Sequence, residues 1–211
     1  IPGVFQPATR ARFPASTSLH VMADLIAGLP GEDLDSFAHG FDLLVSLNPQ
    51  EIQLGILKRL RGTPIIRHQQ SFAMVFNPNP PYNILSTRDM DSRTLFRVSR
   101  FARYWDMIAN SGRFAASLPD ILGAQPFARF MALSDWLYAT TGQTHRIALQ
   151  RLFELLYRYF QQQPQLTSLL QQDYVSAGFK TPLQQRLAGA TSKLKDPAEA
   201  ASSRQQRHLA S

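Results

Sequence analysis

The chain has 211 residues, 44% of them hydrophobic and 10% aromatic, which is enough for one packed domain and not the composition of a disordered segment. It carries a net charge of +7 and contains no cysteine, which excludes disulfides, thiolate catalysis and any Cys-ligated zinc or iron–sulfur centre on this chain. No apolar run reaches the length of a membrane span or has the form of a signal peptide, so a cytoplasmic protein is expected. The basic residues are spread over several segments instead of forming one block, so the charge alone does not single out a nucleic-acid partner.

In chain order, residues 1–18 hold Pro2, Pro7 and Pro14, show no period and read as an irregular segment. There is no starting Met, as expected of a truncated or processed chain. LHVMADLIA (19–27) is a mostly apolar run, as for a strand covered on both faces. Gly28, Pro30 and Gly31 break it, and Asp33 caps a helix to about Leu47 with Leu34, Phe37, Phe41, Leu44 and Val45 on one face. EIQLGILKRL (51–60) reads as a second strand. Strand, helix, strand at these lengths predicts a parallel βαβ unit. FAMVF (72–76) is a further short strand and NPNPPYN (77–83) a stiff loop.

After Asp89 the period changes to that of a helix. Leu95, Val98, Ala102, Trp105 and Ile108 share one face of a helix over 92–110, capped by Asp91 or Ser92, with Gly112 at C′. Further helices are predicted at 114–122, 125–141, 145–162 and 164–176, and a mobile Gln-, Ala- and Ser-rich tail from Lys180. The expected organisation is an irregular segment (1–18), a βαβ region (19–76), a helical domain (77–178) and the tail (179–211).

Few residues point to chemistry. The histidines at 20, 39, 68, 145 and 208 have no metal-ligand spacing, and no nucleophile elbow or Walker-type phosphate loop is present. No catalytic residue is assignable. Arg93, Arg97 and Arg100 share one helical face, read as solvated in preference to phosphate-gripping. The aromatics of FARYWDMI and LFELLYRYF fall at core spacing. DLIAGLPGE is the exception. Its glycines serve either the geometry of a strand-to-helix turn or the close approach of backbone to a ligand.

VMADLIAGLPGEDLDSF followed by NPQEIQLGILKRLRGTPI resembles the late strands of the radical S-adenosylmethionine (radical SAM) barrel, in the branch that carries a cobalamin-binding domain. NPPYNILSTRD, RVSRFARYWDMIANSGRF and the helical remainder resemble the C-terminal domain of unknown function in one subgroup, and the likeness covers roughly 19–176. It implies an α/β portion (a βαβ from a partial barrel) followed by a mainly α-helical domain. It implies a C-terminal fragment, inactive alone, of an enzyme using S-adenosylmethionine, a [4Fe–4S] cluster and cobalamin on an unknown substrate. The partner is then the cobalamin- and cluster-bearing portion of the same enzyme, since the family's three-cysteine loop is not in this chain. The family's fifth-strand motif, G-x-I-x-G-x-x-E, places Ile26 and Gly28 at the cofactor's adenine; Asp24 stands where its first glycine falls, and Glu32 comes one residue late. Sixth-strand backbone at Leu54, Gly55 and Ile56 lines the same side. Two other readings stay open: a basic helical module that binds nucleic acid or a protein, and a structural role in which the helices cap an open barrel and shape a substrate pocket.

Overall fold

The computed structural model describes residues 21–193, so the expected irregular segment 1–18 and the end of the expected tail lie outside the described residues. Strand β1 (Met22–Ala27), helix α1 (Leu34–Ser46) and strand β2 (Glu51–Ile56) form the predicted parallel βαβ unit, registered from Met22 opposite Glu51 to Ala27 opposite Ile56. The turn chemistry explains where α1 starts. The Asp33 carboxylate accepts from the Ser36 N–H at 2.8 Å, and the Ser36 hydroxyl accepts from the Asp33 N–H at 3.0 Å, so two otherwise orphaned donors are satisfied reciprocally. Those bonds hold the Asp33 carboxyl below its usual range. Phe37 and Phe41 are the buried positions of its apolar face.

The phase of the ladder decides which backbone groups are used. The Leu57 N–H donates to the Ala27 carbonyl at 2.9 Å, and Ala27 is registered with Ile56. Parallel pairing in this phase turns the backbone groups of Ala23, Leu25 and Ala27 toward β2 and those of Met22, Asp24 and Ile26 away from it. On β2, Gln53 and Gly55 face β1, while Ile52, Leu54 and Ile56 face the opposite edge. Side chains alternate independently of this. Leu25 packs toward α1 beside Gly40, whereas Met22 (50% exposed), Asp24 and Ile26 (42% exposed) lie open. A strand covered on both faces was expected; the described residues supply only one covering layer, that of α1.

The strand predicted over 51–60 stops at Ile56. Beyond it the chain turns to meet the 82–84 segment, where Ile84 N–H donates to the Leu57 carbonyl at 2.8 Å and Lys58 bridges Asn83. A 3-10 turn (Pro64–His68) follows, then β3 (Val75–Phe76), which pairs antiparallel with β4 (Ile84–Ser86). Neither the 3-10 turn nor β4 was visible in the sequence pattern, because both are too short to establish a period.

The rest is helical: α2 (Ser92–Ile108), α3 (Leu118–Leu122), α4 (Pro126–Thr141), α5 (Leu149–Tyr159), α6 (Pro164–Ser176) and α7 (Leu183–Lys193). The chain is thus a small α/β unit followed by a mainly α-helical domain. Asp91 caps α2 through the Thr94 N–H at 2.7 Å, and proline opens α3, α4 and α6, where a missing N–H costs nothing. Gly142 ends α4 in the left-handed conformation. Gly112 does not sit at C′ of α2; that helix ends at Ile108 with Ala109 as its cap, and Gly112 serves the following turn. The described part of the tail expected to be mobile from Lys180 forms α7 over 183–193 instead. Leu183 is buried and donates its N–H to Gln171 at 2.8 Å, and Arg186 meets Glu154 at 2.8 Å.

One core runs through both parts. Phe41 makes edge contacts with Phe101 and Trp105 at centroid distances of 5.0 and 4.8 Å, joining α1 to α2, and Phe127 and Phe130 of α4 close the cluster. Deeper in the helical domain, the buried Asp173 carboxylate accepts from the Ala116 N–H (3.0 Å), the Ser117 N–H (2.9 Å) and the Ser117 hydroxyl (2.7 Å). It thereby anchors the start of α3 to α6.

Candidate functional site

Within the turn that follows β1, Gly28 and Gly31 both take positive φ, at 89° and 78°. A Cβ on Gly28 would lie 2.7 Å from Ile84 Cγ2, so the close approach this glycine permits is that of β4. Glu32 folds back on the same turn, its carboxylate accepting from the Gly28 N–H at 3.1 Å. Burial pushes the Glu32 carboxyl above its usual range; the backbone bonds at Leu29 and Gly28 work against that, and neighbouring Asp33 adds to it. Glu32 is therefore occupied in closing the turn.

The other expected residues come together elsewhere. Ile26, Leu54, Gly55 and Ile56 line one open cavity of about 550 Å³, and Gly28 and Glu32 do not. Its opposite wall is α2, through Ser99, Ala102, Arg103 and Asp106, and its end is closed by Lys58, Pro81 and Asn83. A smaller cavity of about 150 Å³ shares Ile56, Asn83 and Ser99 with it and extends to Phe96 and Ser92. The two form one groove between the β2 edge and a single stripe of α2.

Electrostatically the groove is mixed. Lys58 and Arg103 contribute cations, and neither makes an ion pair among the described residues. Partial burial pushes the Asp106 carboxyl up; its hydrogen bond from Asn110 and the charge of Arg103 act in the other direction, and Glu51 adds to the rise. The Asn83 Oδ1 atom is buried without a hydrogen-bond partner.

The β2 edge facing this groove is treated differently along its length. At its start, the Ile52 carbonyl accepts from Trp105 Nε1 and Asn110 Nδ2, both at 3.0 Å, and the Ile52 N–H donates to Asn110 Oδ1 at 3.4 Å. The side chains of α2 thus stand in for a neighbouring strand. At Leu54 and Ile56 the edge-facing N–H and C=O groups have no partner among the described residues.

Ser99, Arg103, Asp106 and Asn83 were not foreseen as site residues. The first three were legible as a stripe with Ser92 and Phe96, spaced three and four apart opposite the apolar face, but nothing in the sequence said what that stripe faces. The arginine face expected to be solvated is only partly so. Arg97 reaches Asp135 of α4 with Nη2 at 2.7 Å and Nε at 3.1 Å. Arg100 approaches the same carboxylate at 3.6 Å and lies 4.3 Å from the centroid of the Tyr138 ring. Arg97 and Arg100 hold α2 against α4, leaving Arg93 exposed. Among the described residues no group of three His, Cys, Asp or Glu side chains could hold a metal ion, and no helix is long and apolar enough to cross a membrane.

Fold and groove define the class: a helical domain packed on the edge of a two-stranded parallel βαβ unit. The chain belongs to the family described as Protein of unknown function (DUF4080), whose model matches residues 70–210. The match takes in the α2 wall of the groove, Asn83 and the helices through α7, while β1, α1 and β2 lie outside it. No curated protein and no solved structure matches the chain.

Proposed function

We propose that this chain is the C-terminal part of a cobalamin-dependent radical SAM enzyme, with its βαβ unit completing a barrel and its helical domain closing that barrel's last edge. The observation that carries the reading is an asymmetry. The outer edge of β2 is partly sealed by Trp105 and Asn110, whereas the outer edge of β1 and the face bearing Met22, Asp24 and Ile26 have no cover among the described residues. Exposed strand edges beside apolar side chains are normally paired or blunted. A sheet finished on one side and unfinished on the other suits the last strands of a larger barrel. The family match over the helical domain agrees with the resemblance of that region to the C-terminal domain of the radical SAM subgroup.

The residues fit the implied cofactors unequally. Ile26 and Gly55, registered with each other, and the neighbouring Leu54 and Ile56 offer an apolar wall suited to the flat adenine of S-adenosylmethionine. Glu32 is committed to its own turn, and Gly28 to β4. No ligand for an iron–sulfur cluster is available on a chain without cysteine. In the family, S-adenosylmethionine supplies a 5′-deoxyadenosyl radical when bound at a reduced cluster. What this chain contributes is placement: a wall for the adenine side, faced across the groove by the helical flank from Ser99 to Asp106.

The test is the polypeptide encoded by the whole reading frame. Reconstituted anaerobically with iron and sulfide, it should hold a [4Fe–4S] cluster and cleave S-adenosylmethionine, while the isolated chain should hold none. A reading frame with no three-cysteine loop upstream of residue 1, or a stoichiometric cluster on the isolated chain, would overturn the proposal. The alternative of a basic nucleic-acid module is weakened by Arg97 and Arg100, whose guanidinium groups are turned onto Asp135 of the neighbouring helix.

A further inference from the structure

We infer that the groove between β2 and α2 is a docking site for an extended peptide segment carrying an acidic side chain, which pairs with the open stretch of the β2 edge. The inference goes beyond the proposed function and stands without it, because it uses only groups present on this chain. Three observations carry it.

The first is the backbone. The Leu54 and Ile56 N–H and C=O groups face the groove edge of the sheet with no partner among the described residues, two residues after Ile52, whose groups on the same edge are taken by Trp105 and Asn110. The fold seals this edge where the helix touches it and leaves it open where the cavity lies. Unpaired donors and acceptors at strand spacing are the template for an added strand.

The second is size. The stripe from Phe96 to Asp106 spans about 15 Å at 1.5 Å per residue, which matches roughly four or five residues of extended chain at about 3.3 Å each. The groove is therefore long enough for a short extended segment. The third is charge. Lys58 and Arg103 lie at the same groove with no ion-pair partner among the described residues, against the single carboxylate of Asp106, so the charge of the lining favours a ligand carboxylate. The buried, unpartnered Asn83 Oδ1 adds an acceptor for a donor on the incoming chain.

The experiment is an NMR titration of the full 211-residue chain with three synthetic pentapeptides. These are N-acetylated, C-amidated Thr-Val-Glu-Val-Thr, the same peptide with Gln for Glu, and the Glu peptide N-methylated at alternate residues. The Glu peptide should shift the amides of Leu54, Ile56, Ser99 and Arg103 and leave those of Met22 and Asp24 in place. The Gln peptide and the Arg103→Gln variant should each bind about tenfold more weakly, the equivalent of about 1.4 kcal/mol. N-methylation should abolish the shifts, and so should Ser99→Trp, which fills the groove from the helix side. Shifts centred on β1, shifts that survive N-methylation, equal binding of the Glu and Gln peptides, or no shifts at all would overturn the inference. The first of these would mean that the unfinished edge, not the groove, takes the strand. Because the N-methylated peptide and Arg103→Gln leave the groove unfilled, the result does not depend on the Ser99→Trp variant folding.

Discussion

The α/β unit and the helical domain bury their apolar residues in opposite ways. In α2, Leu95, Val98, Phe101, Tyr104, Trp105 and Ile108 are all at most 3% exposed, so the apolar stripe is completely spent on the core. In β1 the apolar residues alternate, with Ala27 buried and Met22 and Ile26 about half exposed. The lesson is that an apolar pattern marks what a segment is built to touch, which can be more than what the described residues provide. The helical domain satisfies its pattern within the core it shares with α1; the front unit leaves one face of its pattern unmet.

If that contrast is right, substitutions in the two regions differ in cost. The largest effect is expected at Asp173, where three donors converge on one buried carboxylate. Asp173→Ala leaves the Ala116 and Ser117 groups unsatisfied and should cost about 3 kcal/mol or more in denaturant unfolding. Asp173→Asn, which keeps one acceptor oxygen, should cost clearly less. A neutral Asp173→Ala would mean that the helical domain is not the sealed core described.

Next comes the α2–α4 bridge. Arg97→Gln with Arg100→Gln should cost about 1 kcal/mol, since these groups are about a quarter to a third exposed and solvent screens them. Asp135→Asn should reproduce most of that loss, because both arginines share that carboxylate, and Arg93→Gln should change nothing measurable. Equal effects at all three arginines would restore the reading of a purely solvated face.

A smaller, pH-dependent effect is expected at Glu32. A carboxyl whose folded-state pKa is raised contributes its stabilisation below the unfolded-state pKa, roughly 4.3, and loses it as the pH rises through the folded-state value. The stability of Glu32→Gln relative to wild type should therefore improve as the pH is raised from about 4 to 7. A difference that is flat with pH would show that Glu32 is no more buried in its turn than in the unfolded chain. The smallest effect belongs to the open face of β1: Ile26→Thr should change the stability of the isolated chain by less than about 0.5 kcal/mol.

Much of the fold was legible because its signals are local. Asp33 with Ser36, Asp91 before the α2 period, Pro126, Pro164 and Gly142 each fix an element's end within a few residues of sequence. α7 was missed because Gln, Ala and Ser give no apolar period, although Gln, Ala, Leu and Arg are good helix formers and Leu183 with Arg186 anchors the start. Of the site, the strand wall at Ile26 and Leu54 to Ile56 was expected from the resemblance. Gly28 and Glu32 fell outside the groove because β4, too short to predict, packs on Gly28 and leaves Glu32 to close the turn. Asn83, Ser99 and Arg103 were illegible for another reason: their importance lies in facing β2 across tens of residues of chain, which no local pattern encodes.

The central claim is that the open edge and face of β1 form an interface to the rest of a barrel. Hydrogen exchange at the amides of Met22, Asp24 and Ile26 tests it most directly. In the isolated chain these amides should exchange nearly as fast as in a disordered peptide, while those of Leu25 and Ala27, turned toward β2, are protected. In the polypeptide encoded by the whole reading frame, all three should become protected together. Equally fast exchange at Met22, Asp24 and Ile26 in that longer polypeptide would contradict the account.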